Sequence, residues 1–139
     1  MDKRITHSVF EDVAERFPGR IAADEPGRAV TYRELNAAAN TVAHALRAGG
    51  IGRDAVVGVF LRNSIDYIVA ILGVQKAGAV FLPIDVDTPR RRFETILHKA
   101  EPAALIANEA FAPDLRERLR AIPGAAAWLL GVGAAGAAW

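Results

Sequence analysis

The pattern of apolar and polar residues predicts a surface helix near the start of the chain. Apolar residues recur there at helical spacing, from Thr6 up to the stop at Pro18-Gly19. They are Val9, Phe10, Val13 and Phe17. The short runs "IAAD" and "AVT" follow, and the turn residues Pro26-Gly27 separate them. Two short runs joined by such a turn predict a hairpin.

A second helix has a well-marked start and end. Thr31 can accept a hydrogen bond from the Glu34 N–H, and the Glu34 side chain can accept one from the Thr31 N–H. An apolar stripe follows, made of Leu35, Ala38, Ala39, Val42, Ala45 and Leu46. Gly49-Gly50 supply the left-handed residue that ends a helix. The pattern predicts a helix from about Tyr32 to Ala48.

The middle of the chain predicts a strand, a helix and a second strand. "AVVGVFL", residues 55–61, is apolar without alternation, as in a strand covered on both faces. Asn63 or Ser64 can cap the next helix, which is apolar around most of its circumference and is therefore predicted to be buried. The strand "AVFLPI" follows directly. Such short connections predict a right-handed crossover between parallel strands.

The rest of the chain continues the alternation of helices and strands. Thr88-Pro89 predicts an N-cap with proline at the first helical position, in a helix that ends near Lys99. "AALIA" predicts a third parallel strand, "APDLRERLRAI" a last helix and "AAAWLL" a fourth strand. We therefore predict an α/β fold, with a mainly parallel sheet and helices on both faces.

Composition excludes several classes of protein. The 139 residues hold 17 basic and 16 acidic side chains, far from the basic excess of a nucleic-acid binder, so no nucleic-acid partner is expected. The absence of cysteine and of an apolar signal segment at the start is compatible with a cytoplasmic protein. The uncharged tail, residues 121–139, is mostly Ala and Gly with Pro123 inside, so no membrane span is expected.

The corner "GVQKAGAVFLPIDVDTP" combines a helix end, a strand and two carboxylates. Gly78 lies where a helix meets a strand, which requires positive φ or close backbone approach. Pro83 cannot donate to a ladder and predicts a strand end or a sheet edge. Asp85 and Asp87 have no nearby His or third acid, so turn capping is the better hypothesis than a metal or acid/base site.

Two motifs carry a resemblance to a known family. "VTYRELN", residues 30–36, and "QKAGAVFLPID", residues 75–85, resemble the first two core motifs of the amino-acid-adenylating domains of nonribosomal peptide synthetases. These domains belong to the adenylate-forming superfamily of acyl- and aryl-CoA synthetases and luciferase-like enzymes. The order of the motifs and "TPRRRFETILHKAEPAALIAN" after them also fit, so that the resemblance covers residue 5 to about 110.

The resemblance implies an N-terminal part of a ligase used in secondary-metabolite biosynthesis. Complete family members use ATP and magnesium to convert a carboxylate into an acyl-adenylate, and then pass the acyl group to a phosphopantetheine carrier protein. The family's phosphate loop, adenine site, specificity pocket and catalytic lysine lie in later motifs that this sequence lacks. No residue here inherits a catalytic, substrate-binding, cofactor-binding or metal role. Residues 1–120 are expected to be a partial N-terminal subdomain, and residues 121–139 a strand and tail.

Other signals have ordinary structural interpretations. "GVGAAG", Gly131 to Gly136, matches a dinucleotide fingerprint, but no helix or acidic residue follows it. Arg90, Arg91 and Arg92 crowd the start of a predicted helix, where the helix dipole disfavours positive charge. Two alternatives would explain three arginines at this position. The arginines form a solvated basic face, or their charge is compensated by a domain contact or by Asp85, Asp87 or Glu94. For His7, His44 and His98, which have no ligand partner at helical spacing, the helix surface is expected.

Three hypotheses of function remain. The first is an N-terminal fragment of an adenylating enzyme that is inactive by itself and is completed by the rest of the domain. In that case we expect the sheet faces and the apolar helix at residues 64–77 to lose neighbours and to expose apolar surface. The second is a stand-alone, non-catalytic α/β module for protein interaction. The third is a small nucleotide binder that would depend on Gly131 or Gly133.

Overall fold

The computed structural model describes residues 6–122 and 128–132. The order of its elements is α1 (Thr6–Arg16), β1 (Ile21–Glu25), β2 (Arg28–Thr31), α2 (Tyr32–Ala48), β3 (Val56–Phe60), α3 (Ile65–Lys76), β4 (Val80–Ile84), α4 (Arg90–Ala100), β5 (Ala104–Ala107), α5 (Ala112–Arg120) and β6 (Trp128–Gly131). Each predicted helix and strand corresponds to one of these elements, with ends that differ by a few residues.

A parallel sheet with the strand order β4-β3-β5-β6 forms the centre of the fold. The chain passes from β3 to β4 through α3, and then returns past β3 to β5 through α4. Right-handed crossovers that run in opposite directions place their helices on opposite faces of the sheet. The predicted α/β fold with helices on both faces is therefore confirmed.

The first face of the sheet lies under α2 and α3. Val57 and Val59 of β3 point to this face with Ile106 of β5, and all three are fully buried. Most of α3 is also buried, because the sheet covers one side of it and α2 the other. The predicted burial of this helix is confirmed. The expectation that it lacks neighbours within a fragment is wrong, since only Ile68 among its large apolar residues is exposed.

The second face of the sheet carries α4 and α5. Phe60 and Leu105, which alternate with the residues of the first face, pack here against Phe93 of α4 and Leu115 of α5. The Phe60 and Phe93 rings meet edge to face, with 5.9 Å between their centroids. Burial on both faces explains why the strand sequences are continuously apolar instead of alternating.

The hairpin of β1 and β2 is a separate antiparallel sheet, as predicted, and Gly27 (φ 80°) turns its loop. The preceding α1 packs through Phe10, whose ring lies 5.8 Å from that of Tyr32. Val9 and Phe17 of the predicted apolar stripe are each 41% exposed. The stripe is thus only partly buried, because α1 has no neighbour on its outer side among the described residues.

The predicted signals at the ends of α2 and α3 are confirmed. The Thr31 hydroxyl accepts from the Glu34 N–H at 3.2 Å, and the Glu34 carboxylate accepts from the Thr31 N–H at 2.9 Å. Gly50 (φ 77°) follows the end of α2, and Gly78 (φ 81°) joins α3 to β4. Ser64, one of the two predicted caps of α3, accepts from the Tyr67 N–H at 3.2 Å.

The capping box makes part of the stability depend on pH. Hydrogen bonds from the Thr31 backbone and side chain hold the pKa of Glu34 below its ordinary value of 4.5. A lowered folded-state pKa gives a contribution that is complete above the unfolded pKa and is lost as the pH falls through the folded one. We expect Glu34→Gln, which keeps the hydrogen-bond acceptor, to lose less stability than the wild type between pH 7 and about pH 3.5.

Urea midpoints of both proteins at the two pH values measure this difference. Equal losses of stability in the wild type and in Glu34→Gln would show that the capping box does not contribute to the pH dependence.

The expected N-cap of α4 is wrong. Pro89, and not Thr88, is the N-cap, and no side chain caps this helix. Thr88 is buried, and its N–H donates to the Asp85 carbonyl at 3.0 Å, so that the turn directs it inward and away from the helix end. Arg90, Arg91 and Arg92 are all exposed, as expected of a solvated basic face. Arg90 pairs at 3.2 Å with the exposed Glu117 of α5, and not with Asp85, Asp87 or Glu94.

Candidate functional site

The carboxyl ends of β3, β4 and β5 meet at one edge of the sheet because the strands are parallel. Ligands of open parallel sheets bind at this edge, where the strand order changes direction, and here that point lies between β3 and β5. A cleft of about 560 Å³ opens along the ends of β3 and β4. It is lined by Leu61, Arg62, Asn63, Tyr67, Pro83, Ile84, Asp85 and Asp87. This cleft is the candidate site.

The central pair of the cleft is Arg62 and Asp87. Two hydrogen bonds join the guanidinium to the carboxylate, at 2.9 and 3.2 Å. The hydrogen bonds and the charge of Asp87 raise the pKa of Arg62, and the charge of Asp85 adds to this effect. The guanidinium also lies 5.6 Å from the centre of the Phe111 ring, on the β5 side. Arg62 therefore spans the ends of all three strands.

Asp85 caps the turn, as the sequence predicts, whereas the carboxylate of Asp87 forms an ion pair. A carboxylate oxygen of Asp85 accepts from the Asp87 N–H at 2.8 Å, and both carboxylate oxygens of Asp87 bind Arg62. In residues 6–122 and 128–132, no three His, Cys, Asp or Glu side chains lie together in a way that could hold a metal ion. What the two carboxylates do here is to shape the loop after β4.

Arg118 of α5 binds the backbone of the loop after β4. Its guanidinium donates to the carbonyls of Thr88 at 2.6 Å and Val86 at 3.3 Å. It lies over the rings of Phe60 and Phe93, at 5.4 and 5.2 Å from their centres. The side chain is only 10% exposed. The sequence did not indicate this role of Arg118, because the spacing to Asp114, its ion partner four residues earlier, indicates only a surface pair.

A second network, also missed from the sequence, joins the hairpin to the sheet. One Asp66 oxygen accepts from Arg28 at 2.6 Å, and the other accepts from Asn108 at 3.0 Å. Asn108 lies directly after β5, and its amide oxygen also accepts from the Phe111 N–H at 3.3 Å. Both carboxylate oxygens of Asp66 thus accept a hydrogen bond, one from a residue of β2 and the other from a residue at the end of β5. The only signal in the sequence was the position of Asn108, at the end of the segment after the second motif that resembles the family.

The structure places the other candidates away from the cleft. His44 and His98 are exposed on α2 and α4, as predicted, and His7 lies in α1, its side chain outside the described residues. Gly131 is the last residue of β6. The Val132 N–H continues the pairing by donating to the Ala107 carbonyl at 3.0 Å. The remainder of the glycine pattern, residues 133–136, lies outside the described residues.

The residues of the cleft do not fit ATP with magnesium. Phosphate cradles use successive free backbone N–H groups in a loop rich in Gly, Ser and Thr. Beside the cleft, the Ser64 hydroxyl already binds the Tyr67 N–H and the Arg62 carbonyl. The Asp87 N–H is taken by Asp85, and the Asp87 carboxylate by Arg62. We derive no step of nucleotide chemistry from this set of residues.

Comparison with known proteins defines the class of protein to which this fold belongs. Residues 10–130 match the family of AMP-binding enzymes, and the chain belongs to that family. It corresponds to an N-terminal portion of an adenylation domain of nonribosomal peptide synthetases, as the two motifs indicated. Tyrocidine synthase 1 of Brevibacillus parabrevis is 40% identical over 74% of this chain and 10% of its own length. Phosphinothricin tripeptide synthetase PhsC of Streptomyces viridochromogenes is 44% identical over 78% of this chain and 10% of its own length.

Solved structures agree with this assignment. The nonribosomal peptide synthetase FmoA3, in an AMPPNP-bound form, has a TM-score of 0.83 and 25% identity over 94% of this chain and 13% of its own. The NpsA N-terminal subdomain of Klebsiella oxytoca has a TM-score of 0.73 and 25% identity over 91% of this chain and 31% of its own. The chain therefore spans a minor part of these relatives. None of the helices among the described residues is long and apolar enough to cross a membrane.

Proposed function

We propose that this chain is the structural beginning of a domain that activates an amino acid as its adenylate, and that it does not catalyse this reaction alone. The observation that supports the proposal is the structural use of both family motifs. Thr31 and Glu34 of the first motif form a capping box, and Gly78 of the second forms a turn with positive φ. These three residues shape a helix start and a turn, which are structural uses.

Pro83 of the second motif has a similar structural use. The Val80 N–H donates to the carbonyl of Ala55, the residue directly before β3. By alternation the Pro83 nitrogen, three residues later, therefore faces away from β3. Because proline has no backbone N–H, Pro83 removes no hydrogen bond from the sheet. It also protects the exposed edge of the sheet from pairing with another strand. The motif therefore ends the sheet on this side and directs the chain into the loop of Asp85 and Asp87.

In this proposal residues 1–120 form the partial subdomain, and residues 121–139 supply a strand and tail. ATP and magnesium are bound by the complete domain, through motifs that this chain lacks. The partner of the chain is the remainder of the adenylation domain, and a phosphopantetheine carrier protein meets that complete domain. A stand-alone interaction module is the second candidate, because α3 already has its neighbours within this chain.

The test is an exchange of segments with a relative. The chain replaces the matching segment of tyrocidine synthase 1, and amino-acid-dependent ATP–pyrophosphate exchange is measured for this chimera and for the chain alone. We expect exchange by the chimera, with the amino-acid preference of the parent, and none by the chain. The parent without the segment is the control and should be inactive.

Each outcome decides a part of the proposal. Exchange by the chain alone would disprove its incompetence. A chimera that unfolds cooperatively but is inactive would contradict the scaffold role and favour the interaction module.

A further inference from the structure

The strand β1 has an unpaired edge. It pairs with β2 in a sheet of two strands, and the described residues place no third strand beside it. Ile21, its first residue, is 57% exposed. The outer edge of β1 therefore offers backbone hydrogen-bonding groups to a further strand.

A groove runs beside this edge, between β1 and the first turns of α3. Its volume is about 370 Å³. It is lined by Ala23, Asp24, Glu25, Asn63, Ser64, Ile65, Tyr67 and Ile68. Ile68 is 38% exposed, although the rest of its helix is largely buried. The groove therefore combines an open strand edge with an apolar side chain that lacks cover.

Two polar contacts fix the walls of this groove relative to each other. The Glu25 carboxylate accepts from the Ile65 N–H at 2.6 Å, which attaches the end of β1 to the start of α3. Arg28, directly after the hairpin turn, binds Asp66 at 2.6 Å. Because strand and helix are held in place without an occupant, a segment that enters the groove does not have to order its walls.

We propose that an extended apolar segment with a basic residue adds to β1 as a third strand, and that the part of the adenylation domain outside this chain supplies it. The inference rests on the proposed function, since the chain covers only 31% of the solved NpsA subdomain. Pairing through the main chain gives affinity, and alternate side chains fill the pockets. Asp24, exposed at the groove, is the partner for the basic residue. A second copy of β1 has no basic side chain and lacks this complement.

Amide hydrogen exchange in the tyrocidine synthase 1 chimera tests this docking. We expect the amides of β1 to exchange at least about tenfold more slowly in the chimera than in the 139-residue chain. The amides of β3, which is paired on both sides, serve as the internal reference. Ile68→Asp should return β1 to the rate seen in the isolated chain, because it places a charge against the apolar segment, and the control Ile68→Val should not.

The outcomes separate this inference from the proposed function. Protected β1 in a chimera without ATP–pyrophosphate exchange supports the docking and contradicts the function. Unprotected β1 in an active chimera overturns the docking alone.

For a chimera that does not fold, a peptide of ten alternating valines and lysines at about 1 mM is added to the 139-residue chain. Slower exchange in β1 then supports the docking, and an unchanged rate overturns it.

Discussion

Replacement of Arg118 by methionine is expected to lower the free energy of unfolding by about 2–4 kcal/mol. Methionine keeps the apolar stem that packs on Phe60 and Phe93 and removes the guanidinium. The carbonyls of Val86 and Thr88, both in buried residues, then lose their charged donor. Hydrogen bonds with a charged partner contribute about 1.5–3 kcal/mol each, and a buried group left unpaired adds its desolvation cost.

The position of the cleft depends on the same side chain. Asp87 lies between the two residues whose carbonyls Arg118 holds, so loss of the guanidinium frees the loop that presents Asp87 to Arg62. Lysine should recover less than half of the loss, because one ammonium cannot reproduce the planar fork that serves two carbonyls. We therefore expect faster amide exchange in residues 85–88 of Arg118→Met than in the wild type.

Urea unfolding followed by circular dichroism measures the effect. The matched control is Arg120→Met, an exposed position on the same helix, which should stay within about 0.5 kcal/mol of the wild type. A similar value for Arg118→Met would show that the carbonyls of the loop do not depend on the guanidinium.

Replacement of Gly73 by alanine is the second large effect, and we expect a net loss of about 1–3 kcal/mol. Alanine is intrinsically better than glycine in a helix by about 1 kcal/mol, so a stabilisation would be expected from the sequence alone. A Cβ at this position would lie 2.4 Å from Cγ1 and 2.5 Å from Cβ of Val42. Because the Cβ of Val42 is fixed to its backbone, α2 itself has to move away.

A double-mutant cycle tests this explanation. Val42→Ala opens space beside position 73, so the double variant Val42→Ala/Gly73→Ala should lose less stability than the sum of the single variants. Gly52→Ala is the control, since its Cβ would meet the Ala77 carbonyl at an ordinary 3.7 Å. Strict additivity of the two substitutions would mean that close approach of α2 and α3 is not the reason for glycine.

Local patterns were sufficient for the elements of this fold. Apolar runs predicted each strand of the parallel sheet, and the capping box of Thr31 and Glu34 predicted the start of α2. Gly78 predicted the turn into β4. Such signals succeed because the forces behind them act between residues that are close in sequence, or reflect burial of a whole face. The short connections around α3 also predicted that β3 and β4 are parallel, as they are.

The tertiary structure alone decided what surrounds the candidate site. Asp66 meets Arg28 and Asn108 across 38 and 42 residues, and Arg118 reaches the Thr88 carbonyl across 30. No periodicity reports such pairs, since they arise only when strands that are distant in sequence become neighbours. The same limit applies to Thr88, whose sequence context predicts a cap.

The sequence by itself therefore determined the order of helices and strands and the family. Only the folded molecule decided how three pairs of elements pack. They are α5 under the loop after β4, α2 against Gly73, and the hairpin against α3. In each case the reason is physical: local hydrogen bonding and hydrophobic periodicity are encoded over a few residues. The partners of a buried arginine or of a glycine without a side chain depend on how whole elements fit together.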